Sequence, residues 1–371
     1  VDSIISLEEA SKIVIKIGSA LLLDKQNRQV NTQWLKSLCQ EISVLIRDGK
    51  QVSIVSSGSI ALGRLILNLN QQHLSLEQTQ AAAACGQIKL ARTYEEILHP
   101  YGLKTAQILL TLDDNKNRRR YLNARSTVNT LLGFGVIPII NENDTVATDE
   151  IRFGDNDRLA AQVAVMIGAE ILVLFSDIDG LYDKNPKEYH DAKRIPVVEA
   201  VDSTIMAMGG KTGSELSSGG MKTKLLAART ATQAGCAMVI SNGFQMHPLT
   251  DLRNGGNCTW FKPRTSPHLA RKQWISSMKT KGKVVIDAGA QAALKNGKSL
   301  LPAGVIKVIG EFEKGDPVEI TTIEGEQLCS GLIRYSSTES RKIKGYKSQE
   351  IIHILGFPGR AALIHKDDMS D

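Results

Sequence analysis

Short apolar runs recur through the first two thirds of the chain, with amphipathic stretches between them. Ile13 to Ile17, Val52 to Val55, Gln107 to Leu110, Val136 to Ile140, Ile171 to Phe175 and Ala237 to Ile240 read as buried strands. Between them, Trp34, Leu35, Leu38, Ile42, Leu45 and Ile46 keep helical spacing, as do Leu159, Val163, Ile167 and the alanine-rich stretch after Lys224. Strand and helix alternate. The pattern predicts an α/β protein, an αβα sandwich whose mostly parallel open sheet is covered on both faces.

Near Cys258 the pattern changes. From Gly255 to Lys283 there is no Asp or Glu, while Lys262, Arg264, Arg271, Lys272, Lys279, Lys281 and Lys283 are basic, so the stretch reads as a linker or domain junction. Beyond it, Val284 to Asp287, Val305 to Ile309, Val318 to Ile323, Gly331 to Tyr335 and Ala361 to His365 predict a small β-rich domain. The expected limits are 1–265, a basic linker over 266–280, and 281–371. A length of 371 residues agrees with two domains.

Composition narrows the class. With 42% hydrophobic and 23% charged residues the chain is neither disordered nor fibrous. A net charge of +6 suits anionic small molecules as well as nucleic acid. The region from Lys281 to Asp371 is close to neutral, so it lacks the surplus of a strong nucleic-acid binder. Five widely spaced cysteines imply neither a disulfide framework nor a zinc site, and a reducing cytoplasm fits them best. Val1 to Lys12 does not read as a secretory signal, and no apolar run approaches membrane-spanning length.

Chemistry concentrates where the expected strands end, the edge at which open α/β sheets bind ligands. Lys16-Ile17-Gly18-Ser19 places a lysine to meet a phosphate, and a lysine snorkelling from a strand end reads equally well. Ser56-Ser57-Gly58-Ser59-Ile60-Ala61 has the same layout or is a helix cap. Asn141-Glu142-Asn143-Asp144 and Phe153-Gly154-Asp155-Asn156-Asp157 supply carboxylates and amides together, the mixture a zwitterion needs: Asp144 for an ammonium, donors such as Asn156 for a carboxylate. Two polar turns explain them too, and the spacing of Asp149 to Asp157 lacks calcium-loop order. Ser176-Asp177-Ile178-Asp179-Gly180-Leu181-Tyr182 could hold adenosine and ribose or be a capped turn. Ser217-Ser218-Gly219-Gly220-Met221-Lys222-Thr223-Lys224 opens a helix and could cradle phosphates, although it is not a Walker P-loop; a flexible linker is the other reading.

In this order the motifs resemble those of the amino acid kinase family. Within it the chain is similar to the branch with an appended PUA domain, through Arg334-Tyr335-Ser336-Ser337, Ser348-Gln349-Glu350-Ile351 and His365-Lys366-Asp367-Asp368-Met369. The resemblance, over roughly residues 12–370, implies transfer from ATP to L-glutamate, giving ADP and L-glutamate 5-phosphate for proline biosynthesis. It further implies Mg²⁺, feedback inhibition by L-proline and a homo-oligomer. By position, Lys16 and Lys224 would hold the transferring phosphoryl group, with Asp157 orienting both. Ser57, Asp144 and Asn156 would bind glutamate, while Lys16, Ser176, Asp177, Ser218, Gly219, Gly220, Met221, Lys222, Thr223 and Lys224 would bind ATP. The Ser217-Ser218 pair departs from the Gly-Thr common in relatives. No metal ligand is assigned.

Relatives acting on N-acetylglutamate, aspartate or a nucleoside monophosphate are the alternatives, and Asp144 favours a free ammonium. An RNA-binding PUA protein with a degenerate kinase fold is the alternative from another class; its affinity would fall steeply with salt.

Overall fold

The six apolar runs lie in six strands of one sheet. The computed structural model describes residues 5–24, 29–71, 73–111, 113–114, 117–146, 156–209 and 220–370. Two compact units divide the chain, residues 1–117 with 123–267, and residues 268–371 with 118–122. Among the described residues, no helix is long and apolar enough to cross a membrane.

The main sheet contains β1 (Lys12–Ile17), β2 (Gln51–Ser56), β3 (Lys104–Leu110), β4 (Val136–Glu142), β5 (Ile171–Ser176), β6 (Val197–Val198), β7 (Ala237–Asn242) and β8 (Cys258–Phe261). Their order is β6-β8-β7-β5-β1-β2-β4-β3. From β7 to β3 every neighbouring pair is parallel. Only at the β8 edge does the direction reverse. Six strands therefore end at one edge, which carries Lys16, Ser56, Glu142, Ser176 and Asn242.

Alternation along the central strands sorts the two faces. Ile13, Ile15 and Ile17 of β1, with Val52 and Ile54 of β2 and Val173 and Phe175 of β5, join one core with helices α1 (Thr32–Arg47), α2 (Ser59–Ile66) and α3 (Leu76–Leu98). Trp34, Leu35, Leu38 and Ile42 are the α1 stripe that fills it. Each such buried side chain contributes about 1.5 to 3 kcal/mol. On the other face, α4 (Asn156–Ile167) and α5 (Met221–Gln233) pack on each other and on the sheet. Lys16, between Ile15 and Ile17, points to that second face.

Helices α2 and α3 touch backbone to backbone. A Cβ at Gly63 would lie 1.6 Å from the Ala82 carbonyl oxygen, and one at Gly86 would lie 1.8 Å from that of Ser59. Only glycine fits either position.

The second unit holds β9 (Gly282–Ile286), β10 (Val305–Gly310), β11 (Pro317–Thr321) and β12 (Gln327–Leu332) in the order β10-β9-β11-β12. Its core includes Val284, Ile286, Val318, Ile320, Ile333 and Leu363. Two expectations need correction. The strand placed at Gly331 to Tyr335 ends at Leu332, because Ser336 caps the helix Ser337–Ile343 in a reciprocal box with Glu339. Ala361 to His365 forms no strand: Ile364 bridges Leu300 alone, and Pro302 has no N–H to extend the ladder. Pro267–Ser276, inside the stretch read as linker, is a helix.

Candidate active site

β1 and the two second-face helices converge on one carboxylate. Lys16 Nζ lies 2.5 Å from Asp157 Oδ1, and Lys224 Nζ lies 2.8 Å from Asp157 Oδ2. Asp157 is 0% exposed, Lys16 8% and Lys224 4%, so water screens these charges little. Burial works against the Asp157 charge, but the ammoniums of Lys16 and Lys224 outweigh it and hold the carboxyl down at about 2. Asp157 also sits in the first turn of α4, where the helix dipole favours an anion.

The start of α5 has the opposite character. Gly220 caps it without a side-chain hydrogen bond, its first turn has no acidic residue, and Lys222 and Lys224 add charge to the positive end of the dipole. Such a terminus favours an anionic ligand. Thr223 Oγ1 donates to the Gly220 carbonyl at 2.7 Å, which braces this turn.

One residue before Asp157, Asn156 opens a polar network. Its Nδ2 donates to Ser57 Oγ at 2.7 Å and to Asn141 Oδ1 at 2.9 Å. Asn141 Nδ2 donates to Ser59 Oγ at 3.2 Å and to Gln87 Oε1 at 2.9 Å, and Ser59 Oγ donates to Asp144 Oδ2 at 3.0 Å. Burial pushes Asp144 up to about 6, with the Ser59 hydroxyl acting in the opposite direction. Both Asn156 amide hydrogens are taken, so the atom it leaves for a ligand is a carbonyl oxygen, an acceptor where the sequence suggested a donor. Gly58, at φ +111°, turns the chain from β2 into α2 and sets Ser57 and Ser59 on the network; a Cβ there would also lie 2.7 Å from Leu22 Cδ2.

At the next strand end, Ser176 Oγ donates to Asp177 Oδ1 at 3.0 Å, and β7 pairs Asn242 with Ser176. The structure thus joins Lys16, Asp157 and Lys224, and links Ser57, Asn156 and Asp144 through Asn141 and Ser59. Gly220, Met221, Lys222 and Thr223 lie on the same helical turn as Lys224. Ser218 and Gly219, expected at the nucleotide, lie outside the described residues, as does Ser217. Sequence reasoning did not single out Asn141, Ser59 or Gln87 as site residues. Gln87 did leave a signal, being an amide among Ala83, Gly86, Leu90 and Tyr94 on the buried side of α3.

The amino acid kinase family model matches residues 11–242. The chain belongs to that family. It is accordingly a kinase that draws its phosphoryl group from ATP. A PUA domain model matches residues 282–355. Over 98% of this chain and 98% of the relative, it is 58% identical to a protein of Paracoccus denitrificans named glutamate 5-kinase. A glutamate 5-kinase of a Ruegeria species is 56% identical over 98% of this chain and 99% of its own. Among solved structures, the UMP kinase from Bacillus anthracis is similar at 15% identity and a TM-score of 0.48, covering 69% of this chain and 98% of that one.

Proposed function

We propose that the chain transfers the γ-phosphoryl group of ATP to the side-chain carboxylate of L-glutamate, giving ADP and L-glutamate 5-phosphate, the first step of proline biosynthesis. The observation that carries the reading is the pair of buried ammoniums on Asp157, one residue from a network that ends in the Asp144 carboxylate. Relatives named glutamate 5-kinase, matched along nearly their whole length, support it.

A glutamate side chain has an unperturbed pKa of about 4.3, so it arrives ionised and needs no general base. Its oxygen forms a bond to the γ-phosphorus as the bond to the β,γ-bridging oxygen breaks, and the charges balance with no proton moved. The obstacle is repulsion between two anions. Positive charge fixed in a dry site removes it, and that is the role assigned to Lys16 and Lys224, with Asp157 holding both in place. The glutamate ammonium would take Asp144 and the Asn156 carbonyl oxygen, and Ser57 would meet a carboxylate. Ser176, Asp177 and the turn Gly220 to Lys224, continued by Ser218 and Gly219, would hold the nucleotide.

Mg²⁺ belongs to the same proposal. Asp157 is committed to two lysines, and among the described residues no group of three metal-ligating side chains occurs. Mg²⁺, which usually keeps phosphate oxygens and water as ligands, would supply positive charge that offsets the nucleotide phosphates. Inhibition by L-proline, self-association, a cytoplasmic location and the domain limits 1–265 and 281–371 complete the proposal. Titration of the activity with proline and light scattering test the first two.

The test of the reaction is ADP release across a panel of amino acids with hydroxylamine present, because an acyl phosphate is trapped as a hydroxamate. Glutamate-dependent hydroxamate is the expected result; ADP release indifferent to glutamate refutes the reading.

A further inference from the structure

Three amides and two hydroxyls form one hydrogen-bonded chain, whose direction is held from both ends: by Gln87, and by Ser59, which spends its one hydrogen on Asp144 and so accepts from Asn141. An amide nitrogen carries two hydrogens and its oxygen none, so each link orients the next. Gln87 gives its oxygen to Asn141, at 2.9 Å. Asn141 spends both hydrogens, on Gln87 and Ser59, and gives its own oxygen to Asn156. Asn156 then spends both hydrogens, on Asn141 and Ser57, and keeps a carbonyl oxygen to offer. Turning Gln87 around would set two NH₂ groups against each other.

This orientation has a cost at Gln87. Its Nε2 is buried with no hydrogen-bond partner among the described residues, in a side chain only 7% exposed. Unmet donors in the interior lower stability, and a leucine of similar size would remove this one at the expense of the Asn141 hydrogen that Gln87 accepts. The amide is therefore explained by what its oxygen does.

We propose that Gln87 is a positioning residue for the amino-acid substrate: acting through Asn141, it turns the Asn156 amide so that a carbonyl oxygen, together with the Asp144 carboxylate, receives the substrate ammonium. The inference rests on the reading of this site as the glutamate site. Gly86 supports it structurally, because the backbone contact between α2 and α3 at that residue brings Gln87 and Ser59 to the same asparagine.

The test is steady-state kinetics on the full chain with Gln87→Leu, Gln87→Glu and Asn141→Ala, with thermal unfolding of each. Gln87→Leu removes the acceptor and is expected to raise KM for glutamate roughly tenfold or more while KM for ATP stays within about twofold. Gln87→Glu, buried and so held as the neutral acid, keeps a carbonyl oxygen and brings KM for glutamate back to within about threefold of wild type. Combined with Asn141→Ala, Gln87→Leu adds less than about twofold, since its effect runs through Asn141.

A Gln87→Leu enzyme with unchanged KM for glutamate overturns the inference. So does a loss in which both KM values and the melting temperature move together, or a Gln87→Glu variant as impaired as Gln87→Leu, or fully multiplicative effects with Asn141→Ala. A wild type without glutamate turnover overturns the functional reading and this inference with it, whereas an active wild type beside an indifferent Gln87→Leu variant overturns this inference alone.

Discussion

Replacing Asp157 by asparagine removes the carboxylate that the Lys16 and Lys224 ammoniums share. Held on opposite oxygens of one carboxyl group, they stand roughly 5 to 6 Å apart, and at an effective dielectric of about 20 their repulsion is about 3 kcal/mol. The lowered pKa of Asp157 expresses the same attraction. A carboxyl held at about 2 in the fold, against about 3.9 in an unfolded chain, contributes on the order of 2 to 3 kcal/mol at neutral pH. That contribution is present above pH 4 to 5 and disappears as pH falls through about 2. The two figures describe overlapping effects and do not add, and both agree with the roughly 3 to 5 kcal/mol lost when a buried pair is broken. For a unit of this size the melting temperature of Asp157→Asn should fall by roughly 10 °C, read by far-UV circular dichroism at pH 7. Adding Lys224→Met removes one of the two mutually repelling ammoniums and should restore about half of that loss without restoring ADP release. A single variant within about 2 °C of wild type, or a double variant less stable than the single, would refute the reasoning.

Three further outcomes follow from the same geometry. Lys224→Ala removes a donor from the reacting group and should lower kcat by roughly a hundredfold or more in an ADP-release assay. Asp144, pushed up to about 6 by burial, is costly in its ionised form, so its contribution to stability improves as pH falls from 6 toward 4 while its grip on an ammonium is lost. In a pH series kcat/KM for glutamate should therefore fall about tenfold per unit below pH 6, and Asp144→Asn should raise both KM for glutamate and the melting temperature. Gly86→Ala places a carbon 1.8 Å from the Ser59 carbonyl oxygen and should cost more than about 3 kcal/mol in chemical denaturation.

The central sheet was legible because its strands are buried on both faces and read as uninterrupted apolar runs. β6 and β8 were not: β6 is two residues long, and β8, Cys258–Phe261, lies between Gly255-Gly256 and Pro263, where composition suggests a junction. Lys16 and Lys224 stood out because charged residues at strand ends and helix starts are conspicuous in one dimension, whereas Asp157 was singled out through the resemblance to the family. Asn141, Ser59 and Gln87 were harder, since their role appears only when α2 and α3 meet at Gly63 and Gly86, a contact that no local spacing encodes. The amide direction at Asn156 was also out of reach. It depends on Gln87, 69 positions away, and on Ser59 and Asp144.

The most direct measurement is a crystal structure of the chain with ADP, Mg²⁺, glutamate and a planar mimic of the transferring phosphoryl group. The account requires Lys16 Nζ and Lys224 Nζ each to stand about 3 Å from that group, with Asp157 still between them and the ammonium of glutamate on Asp144. A complex with either lysine turned away, or with glutamate bound at a different strand end, would contradict it.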